Sequence, residues 1–383
     1  MVRLGDVCKI IGGYAFKSEE FITDGVPVIR ISNLDGETVN VDKNVCYSVE
    51  FLKNNNNFTV RKNDILMAMS GATVGKIGVY QNEDVALLNQ RVCNLKPIED
   101  KLNREYLNCY CHSDYFKSEI LKNAFGCAQP NISVKQIADF EIKILDLKSQ
   151  VRIANKLKKI LCLIEKRKQQ LQKLDELVKA RFVEMFGDEY EFYKWQCTTV
   201  GEVANVFVGI VIKPTQYYAE QGIPAFRSLN IGALSVKNKD WIYFSEEGHL
   251  ENSRTIVRTN DVLVVRSGAP GTSCVVTEEF DGYNAIDIII ARPDNTKINS
   301  TFLAMFTNMP HGMLQIKEGV GGAAQQHFNI GKYKGLKIIL PSLELQNQFA
   351  VFVEQIDKSK LYVQKSLEKM EMLKKALMQK YFG

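Results

Sequence analysis

The chain has 383 residues, too many for one ordinary hydrophobic core, so two or more domains are expected. Its 45% hydrophobic and 24% charged residues are typical of a globular protein, and no apolar run approaches the roughly 18 residues of a membrane span. The net charge of +5 is compatible with a polyanionic partner but does not indicate one. Nine cysteines without a Cys-x-x-Cys pair, and no apolar core of a signal peptide, predict a cytoplasmic protein with reduced thiols.

The first 146 residues are predicted to form a mixed α/β domain. Short apolar runs bounded by Gly, Asn and Asp predict strands at 26–31, 65–69 and 77–80. A helical pattern follows late in this segment, at 104–125. This order favours a curved sheet that is completed by a helix.

Residues 147–187 are predicted to form one long helix. Of the ten residues spaced alternately by four and three from Ile153 to Met185, eight are apolar, which is the seam of a coiled coil. At about 1.5 Å per residue, forty helical residues span about 60 Å, too long to bury the seam inside a small domain. A second long helix is therefore the expected partner, although two separate core helices are an alternative.

The whole pattern occurs a second time, about 196 residues later. Leu147 corresponds to Leu343 and Gly187 to Gly383, so 343–383 is predicted to form the second long helix. The intervening residues 188–342 repeat the first domain, with strands predicted at 262–265, 274–277 and 286–291 and a helix at 300–318. The predicted fold class is therefore α+β. Two homologous mixed α/β domains are separated by two long helices that form an antiparallel coiled coil with a pseudo-twofold internal repeat.

This symmetry suggests a partner with a twofold axis of its own. Two related domains held at a fixed separation would suit two half-sites on opposite strands of a DNA duplex. The helix pair would then set the distance between the half-sites. Symmetry alone does not establish that the partner is DNA.

The sequence contains no complete catalytic or metal-binding motif. Residues 70–77 resemble a phosphate-binding loop, but the glycine–lysine spacing is one residue short and Ile77 replaces the Ser or Thr. The four histidines share no metal-ligand spacing. Neither a methylase motif nor a glycine-rich cofactor loop is present in the sequence. We therefore predict no catalytic residue and no metal site in this chain.

Polar, planar side chains in glycine-rich segments are the remaining candidates for a function. Arg and Lys can bind guanine, and Asn and Gln can bind adenine, each good pair giving roughly 1–3 kcal/mol of discrimination. In the first domain the candidates are Lys17, Arg30, Asn33, Ser70, Gln90, Arg91, Gln129 and Asn131, and in the second they are Lys213, Arg227, Asn230, Arg266, Ser267, Gln326, His327 and Asn329. For any one of them, a hydrogen bond within a loop is the simpler role; as a set in two matched domains they favour DNA reading.

Several motifs resemble those of the specificity (S) subunits of type I restriction–modification systems. The resemblance covers the whole chain and rests on residues 12–18, residues 88–92, and the domain-to-helix junctions at 144–150 and 339–346. The family junction usually reads Pro-Pro/Ser-Leu-x-x-Gln. The second junction keeps it, whereas the first has Asp146 where the second has Pro341. The second domain has Ala285-Ile286 where the first has Asn89-Gln90, so base contacts there are in question.

The resemblance implies a DNA-binding subunit without catalysis of its own. Each domain would be a target-recognition domain that reads one half of a bipartite, asymmetric site in double-stranded DNA. The helices would set the spacing and dock two methylase subunits, which endonuclease and translocase subunits would join. The assembled prokaryotic complex would methylate adenine at N6 and cut DNA with ATP. S-adenosylmethionine, ATP and Mg would belong to the partners, with no cofactor in this chain.

Other functions stay open at this point. A fused methylase or nuclease would carry its own catalytic motifs, which are missing. A coiled-coil adaptor would use the helices without reading DNA, and a recognition subunit of a related methylase or nuclease system would share most features. Alanine at Arg30 and Arg227 separates a reader from an adaptor, because only a reader should change its DNA preference.

Overall fold

The computed structural model describes residues 1–124, 130–188, 191–319 and 328–383. The chain divides into two compact units, one made of Met1–Lys168 with Lys365–Gly383 and the other of Gln169–Gln364. Each unit contains a sheet-rich domain and a part of each long helix. In the described part of the chain, no helix is long and apolar enough to cross a membrane.

The first unit combines short strands with short helices. Its strands are β1 (Val2–Arg3), β2 (Cys8–Gly12), β3 (Val26–Ile29), β4 (Cys46–Tyr47), β5 (Thr59–Val60), β6 (Ile65–Ala68), β7 (Ile77–Val79), β8 (Ala86–Leu88), β9 (Val92–Pro97) and β10 (Glu141–Ile142). Its helices are α1 (Glu50–Asn54), α2 (Arg104–Cys111), α3 (Asp114–Ala124), α4 (Val134–Ala138) and the first part of α5 (Leu147–Phe186).

Two four-stranded sheets organise the first unit. One has the order β2-β9-β6-β7 and is antiparallel throughout, while the other has the order β4-β3-β8-β5. In the second sheet β3 and β8 are parallel, with Ile29 paired to Leu88. One hydrophobic core joins the first sheet to α2, α3 and the start of α5. The central strand β6 is buried along its whole length.

The second unit repeats this arrangement. Its strands are β11 (Cys197–Thr199), β12 (Ala204–Val208), β13 (Tyr218–Ala219), β14 (Ile223–Phe226), β15 (Ile231–Gly232), β16 (Ser235–Val236), β17 (Ile242–Phe244), β18 (Val262–Val265), β19 (Ser273–Val275), β20 (Asn284–Ala285), β21 (Ile288–Pro293) and β22 (Lys337–Ile339). Its helices are α6 (Val200–Val203), α7 (Glu246–Glu251), α8 (Ser300–Asn308), α9 (Pro310–Gly319), α10 (Ile330–Lys334) and most of α11 (Leu343–Phe382), with the end of α5.

The sheets of the second unit correspond to those of the first. The antiparallel sheet has the order β12-β21-β18-β19, and the other sheet has the order β13-β17-β14-β20. As in the first unit, the last sheet contains one parallel pair, here with Phe226 paired to Ala285. The antiparallel sheet thus repeats both strand order and strand direction. The other sheet repeats three strands, β4-β3-β8 as β17-β14-β20, and differs at its edges, where β5 pairs with β8 in the first unit and β13 pairs with β17 in the second.

Both long helices are present as predicted, from Leu147 to Phe186 and from Leu343 to Phe382. In the second unit they run antiparallel. Asp175 of α5 forms a salt bridge with Lys360 of α11 at 2.7 Å. Phe182 lies two turns later on α5, and it packs against Phe349, which lies three turns earlier on α11. Burial of the seam, including Val178 and Val353, explains why an amphipathic helix of this length is stable.

One charged residue interrupts the seam of α11. Lys360 occupies a seam position and is largely buried, and its ammonium also lies 3.2 Å from Asp357 on its own helix. The two carboxylates neutralise a charge that would otherwise be costly at this position. Such a polar pair favours one register of a helix pair over its alternatives.

A buried glutamine connects each domain to its long helix. Gln150 accepts a hydrogen bond from the Asn103 backbone N–H (2.8 Å) and donates to the carbonyls of Lys101 (2.9 Å) and Leu145 (2.7 Å). Its side chain therefore satisfies three backbone groups next to the N-terminus of α2. This is a physical reason for a glutamine at the fourth helical position of the junction.

Gln346 makes the same three bonds in the second unit, to Asn299, Lys297 and Pro341. The match corrects the alignment of the junctions, because Leu145 now corresponds to Pro341. The prediction that Asp146 stands in place of Pro341 is therefore wrong by one position. Asp146 corresponds to Ser342, and both cap a long helix through their side-chain oxygens.

The one shorter helix predicted in each domain is two helices in the structure. The predicted helix at 104–125 is broken after Cys111, where the Ser113 hydroxyl accepts the Phe116 backbone N–H and starts α3. The predicted helix at 300–318 is broken at Met309, because Pro310 begins α9. Proline lacks the N–H that a helix interior needs but suits a first helical position.

Candidate nucleic-acid interface

Most of the candidate residues of the first unit lie on loops that meet at one end of its sheets. We call this end face 1; it consists of residues 13–17, 30–33, 69–71, 89–91 and 130–132. Backbone hydrogen bonds join the loops. Gln90 donates to the Tyr14 carbonyl (2.8 Å), Met69 to the Arg91 carbonyl (2.8 Å) and Gly71 to the Pro130 carbonyl (2.9 Å). End face 1 is thus one connected surface built on the ends of β3, β6 and β8.

The candidates on end face 1 differ in exposure. The side chains of Lys17, Gln90, Arg91 and Asn131 are exposed to solvent. Ser70 is partly buried, and its Oγ has no hydrogen-bond partner among the described residues. The exposed amide and guanidinium of Gln90 and Arg91 stand on the tight turn between β8 and β9 and are available to a ligand.

A loop of the form Arg-x-x-Asn follows the parallel strand of each unit. In the first unit the Arg30 backbone N–H donates to Asn33 Oδ1 (2.8 Å), and Asn33 Nδ2 donates to the Asn40 carbonyl (2.7 Å). The Arg30 guanidinium binds Asp42 at 3.3 Å. Asn33 is buried and both ends of its amide are engaged within the loop, so the structure gives it the task of holding the loop in shape.

The second unit repeats this loop closely. The Arg227 backbone N–H donates to Asn230 Oδ1 (2.9 Å), and Asn230 Nδ2 donates to the Lys239 carbonyl (2.7 Å). The Arg227 guanidinium donates to the Asp240 carbonyl instead of to a carboxylate. Asn230 is fully buried, so both asparagines shape their loops and both arginines are partly tied to the loop that follows.

The remaining loops of the second unit gather in the same way. End face 2 consists of residues 209–213, 227–230, 266–267, 286–287 and 328–329. Asp287 donates its backbone N–H to the Ile210 carbonyl (3.0 Å), Ile286 to the Phe226 carbonyl (2.8 Å) and Phe328 to the Arg266 carbonyl (2.9 Å). The ends of β12, β14 and β18 thus carry one connected surface.

Arg266 is mostly engaged inside end face 2. Its Nη1 binds the Asp287 carboxylate at 2.5 Å and its Nε donates to the Phe328 carbonyl at 3.3 Å. Its side chain is only 17% exposed, and Ser267 beside it is partly buried. The guanidinium therefore holds two loops together.

The other candidates of the second unit are divided between exposed and capping positions. Lys213 is exposed, with φ of 47°. Asn329 caps α10, because its Oδ1 accepts the Gly331 backbone N–H at 2.7 Å. Gln129 of the first unit and Gln326 and His327 of the second lie outside the described residues.

Two glycines bring the loops of each end face into contact. A Cβ at Gly13 would lie 2.1 Å from the Asn89 carbonyl oxygen, and one at Gly209 would lie 2.4 Å from the Ala285 carbonyl oxygen. Only glycine allows so close an approach of two backbones.

The strand pairing also corrects the alignment of the two units by one residue. Phe226 pairs with Ala285 in the second unit, as Ile29 pairs with Leu88 in the first. Asn89 therefore corresponds to Ile286, and not to Ala285 as predicted from the sequence.

Several exposed groups on and beside end face 2 are not among the residues predicted from the sequence. Val211, Ile212 and Leu229 are 50%, 79% and 63% exposed. Lys237 and Lys239 are exposed beside the Arg227–Asn230 loop, and the Lys237 backbone N–H donates to the Asn230 carbonyl at 2.8 Å. Aligning residues 13–17 with 209–213 could have revealed the apolar substitutions, since both segments begin at the glycine and end at a lysine.

The first unit also carries an aromatic cluster that was not predicted from the sequence. The ring of Tyr14 packs edge-on against Phe16 and Phe51, with centroids about 5 Å apart, and Tyr47 completes the group. The cluster buries Phe16, the counterpart of Ile212, beneath end face 1.

Among the described residues, no group of three or more His, Cys, Asp or Glu side chains is placed to hold a metal ion.

Comparisons with known proteins agree with the repeat. The family model described as the type I restriction modification DNA specificity domain matches residues 1–176 and again residues 193–371. The chain is 26% identical over 415 residues to the type I restriction enzyme EcoBI specificity subunit of Escherichia coli, covering 100% of this chain and 85% of that protein. It is 21% identical over 408 residues to the StySPI specificity subunit of Salmonella potsdam, covering 98% and 86%.

A solved structure has the same fold. The crystal structure of the type I restriction–modification S subunit from M. genitalium superposes with a TM-score of 0.61, covering 100% of this chain and 95% of that one. The sequences are 17% identical, so this likeness concerns the fold alone. Each copy of the matched domain lies largely within one of the two units described above.

Proposed function

Since the chain belongs to the family of type I restriction–modification DNA specificity subunits, we propose that its two units read the two halves of one bipartite, asymmetric DNA site. End face 1 contacts one half-site and end face 2 the other. Recognition of DNA sequence then resides in this chain. The chemistry of methylation and cleavage belongs to the partner subunits.

The observation that carries this proposal is one loop frame that displays two different sets of side chains. The buried asparagines, the close-contact glycines and the backbone bonds between loops are repeated in both units. Other exposed residues differ, since Gln90 and Arg91 of end face 1 correspond to the region of Asp287 in end face 2. The exposed Lys17 and Lys213, in contrast, are a matched pair. Two readers with a common frame and different contacts suit a site whose halves differ in sequence.

The partners follow from the same proposal. The long helices dock two methylase subunits, and endonuclease and translocase subunits complete the assembly. S-adenosylmethionine, ATP and Mg are held by those subunits, so this chain acts without a cofactor and without catalysis of its own. Flipping of the target adenine is a task of the methylase, because a base inside the duplex cannot be reached otherwise.

Loss of the side chain of Arg91 should change one half of the recognised sequence. Arg91→Ala removes an exposed guanidinium from end face 1, and a lost base contact of this kind weakens the matched site by roughly 1–3 kcal/mol, about fivefold to 150-fold. Single-molecule sequencing of adenine methylation in cells that express the chain with its methylase measures this directly. We expect a split methylated motif with the wild-type chain, and a motif relaxed in one half only with Arg91→Ala.

Arg61→Ala is the matched control for this experiment. Arg61 is exposed and equally charged but lies before the start of β6, at the opposite end of that strand from Ser70. Its loss should leave the motif unchanged. A methylation map that is the same with and without the wild-type chain would contradict the proposal itself.

The spacing role of the helices is tested by lengthening both. Insertion of seven residues after Lys168 and after Gln364 adds two turns, about 10.5 Å, to each helix and preserves the seam. The unread gap between half-sites should grow by about three base pairs, at roughly 3.4 Å each. A longer motif with unchanged half-sites is the expected methylation map. An unchanged gap with normal methylation would show that the helices do not set the spacing.

A further inference from the structure

End face 2 presents large, exposed apolar side chains at three positions where end face 1 has a small, a buried or a polar residue. Val211 and Ile212 follow Ile210, and Leu229 follows Phe226 by three residues. Ile210 and Phe226 are both tied to the turn after β20, through bonds to Asp287 and Ile286. The three exposed side chains therefore stand on two loops that flank the same turn.

The corresponding positions of the first unit do not share this character. Ala15 and Phe16 correspond to Val211 and Ile212, and Phe16 is buried in the aromatic cluster. Ser32 corresponds to Leu229 in the Arg-x-x-Asn loop. The apolar side chains are thus a property of the second unit and not a requirement of the shared frame.

The polar groups of end face 2 are largely bonded to each other. Arg266 is paired with Asp287, and Arg227 donates to the Asp240 carbonyl. Asn230 is buried inside its loop. Among the described residues, end face 2 therefore offers fewer exposed polar side chains to base edges than end face 1, where Gln90 and Arg91 are exposed.

Exposed lysines accompany the apolar side chains. Lys213 directly follows Ile212, and Lys237 and Lys239 flank the loop that carries Leu229. Cations around apolar side chains complement a DNA groove, because phosphates line its edges and thymine places a methyl group on its floor.

We propose that the second unit reads its half-site largely through apolar contact of Ile212, with Val211 and Leu229, to thymine 5-methyl groups in the major groove. This inference rests on the proposed function. An isoleucine side chain offers no hydrogen bond, so it distinguishes thymine from cytosine by the methyl group and by steric fit. Each methyl that the loop buries should strengthen binding about fourfold.

Deoxyuridine tests this proposal, because it pairs like thymine and lacks only the methyl group. The probes are duplexes that carry the methylated motif found in cells, with every thymine replaced by uracil in one half-site or in the other. Binding to the full chain assembled with its methylase subunits is measured against the thymine duplex and against a scrambled duplex. We expect uracil in one half-site to weaken binding about fourfold or more, and uracil in the other half-site to weaken it less.

Ile212→Ala should then abolish most of the penalty for uracil in the sensitive half-site. Leu250→Ala is the matched control, since Leu250 is 71% exposed and lies on α7, which follows the end of β17 opposite to end face 2. That variant should keep the full penalty. Both residues are exposed, so neither substitution should unfold the chain.

The outcomes separate the inference from the function on which it rests. No preference for the motif duplex over the scrambled duplex overturns the proposed function. A clear preference with equal affinity for thymine and uracil duplexes overturns only the thymine inference, as does a uracil penalty that Ile212→Ala leaves intact. If one half-site contains no A·T base pair, uracil can be placed only in the other half-site. Binding that is insensitive to uracil there also overturns the thymine inference.

Discussion

Replacement of Gln346 by alanine is expected to destabilise the second unit by about 3 kcal/mol, because three buried backbone groups lose their partner. The side chain is fully buried, and its bonds reach the Asn299 N–H and the carbonyls of Lys297 and Pro341. Urea unfolding of the full chain measures the loss. Hydrogen exchange at the Asn299 amide locates it, since that amide should exchange faster.

Two substitutions are controls for this result. Gln150→Ala removes the same three bonds in the first unit, so it should expose the Asn103 amide and leave the Asn299 amide protected. Gln172→Ala removes an exposed glutamine of α5 whose amide donates to Glu176 on the helix surface, and should change stability by about 0.5 kcal/mol or less. Unchanged exchange at Asn299 in Gln346→Ala would refute the anchoring role.

Replacement of Arg292 by alanine should cost about 3–5 kcal/mol, because it leaves the buried Asp261 carboxylate without its cation. Arg292 binds both carboxylate oxygens, through Nε and Nη2 at 2.8 Å each, and the side chain of Asp261 is 1% exposed. The hydrogen bond with Asp261 also raises the pKa of Arg292. The midpoint of urea unfolding of the full chain should fall accordingly.

The first unit provides a natural comparison. Its counterpart of Asp261 is Asp64, which pairs with Lys96 at 3.4 Å and also accepts from Asn94 Nδ2 at 2.7 Å. Lys96→Ala should therefore cost less than Arg292→Ala, because Asn94 continues to bind the carboxylate. Replacing Asp261 and Arg292 together by apolar residues should recover much of the lost stability. Equal losses for Arg292→Ala and Lys96→Ala would contradict this account.

Periodicity in the sequence was sufficient for the long helices but not for all of their contacts. The heptad count selects Arg181 as a seam residue, whereas Phe182 is the buried neighbour. Phe182 is held by Phe302 and Phe349, which are more than a hundred residues away in the chain. Local spacing specifies which face of a helix is apolar, but the partners decide where a wide apolar face ends.

The candidate interface was predictable in composition and less so in the role of each residue. Polar types in loops selected segments that the fold brings together in each unit, and Gln90 and Arg91 are exposed there. Asn33 and Arg266 are instead engaged within the protein. A sequence shows that a side chain can form hydrogen bonds, but its tertiary neighbours determine whether those bonds are internal.

In both units, one set of residues holds the loops in place and a different set projects from them. This separation affects how the sequence can diverge. Asn33, Asn230 and the close-contact glycines support the end faces, while residues such as Arg91 and Ile212 contribute little to folding stability. Substitutions at the projecting positions can therefore accumulate without unfolding the protein. Target preference can drift rapidly within a lineage, and a library randomised only at those positions should retain a high proportion of folded variants.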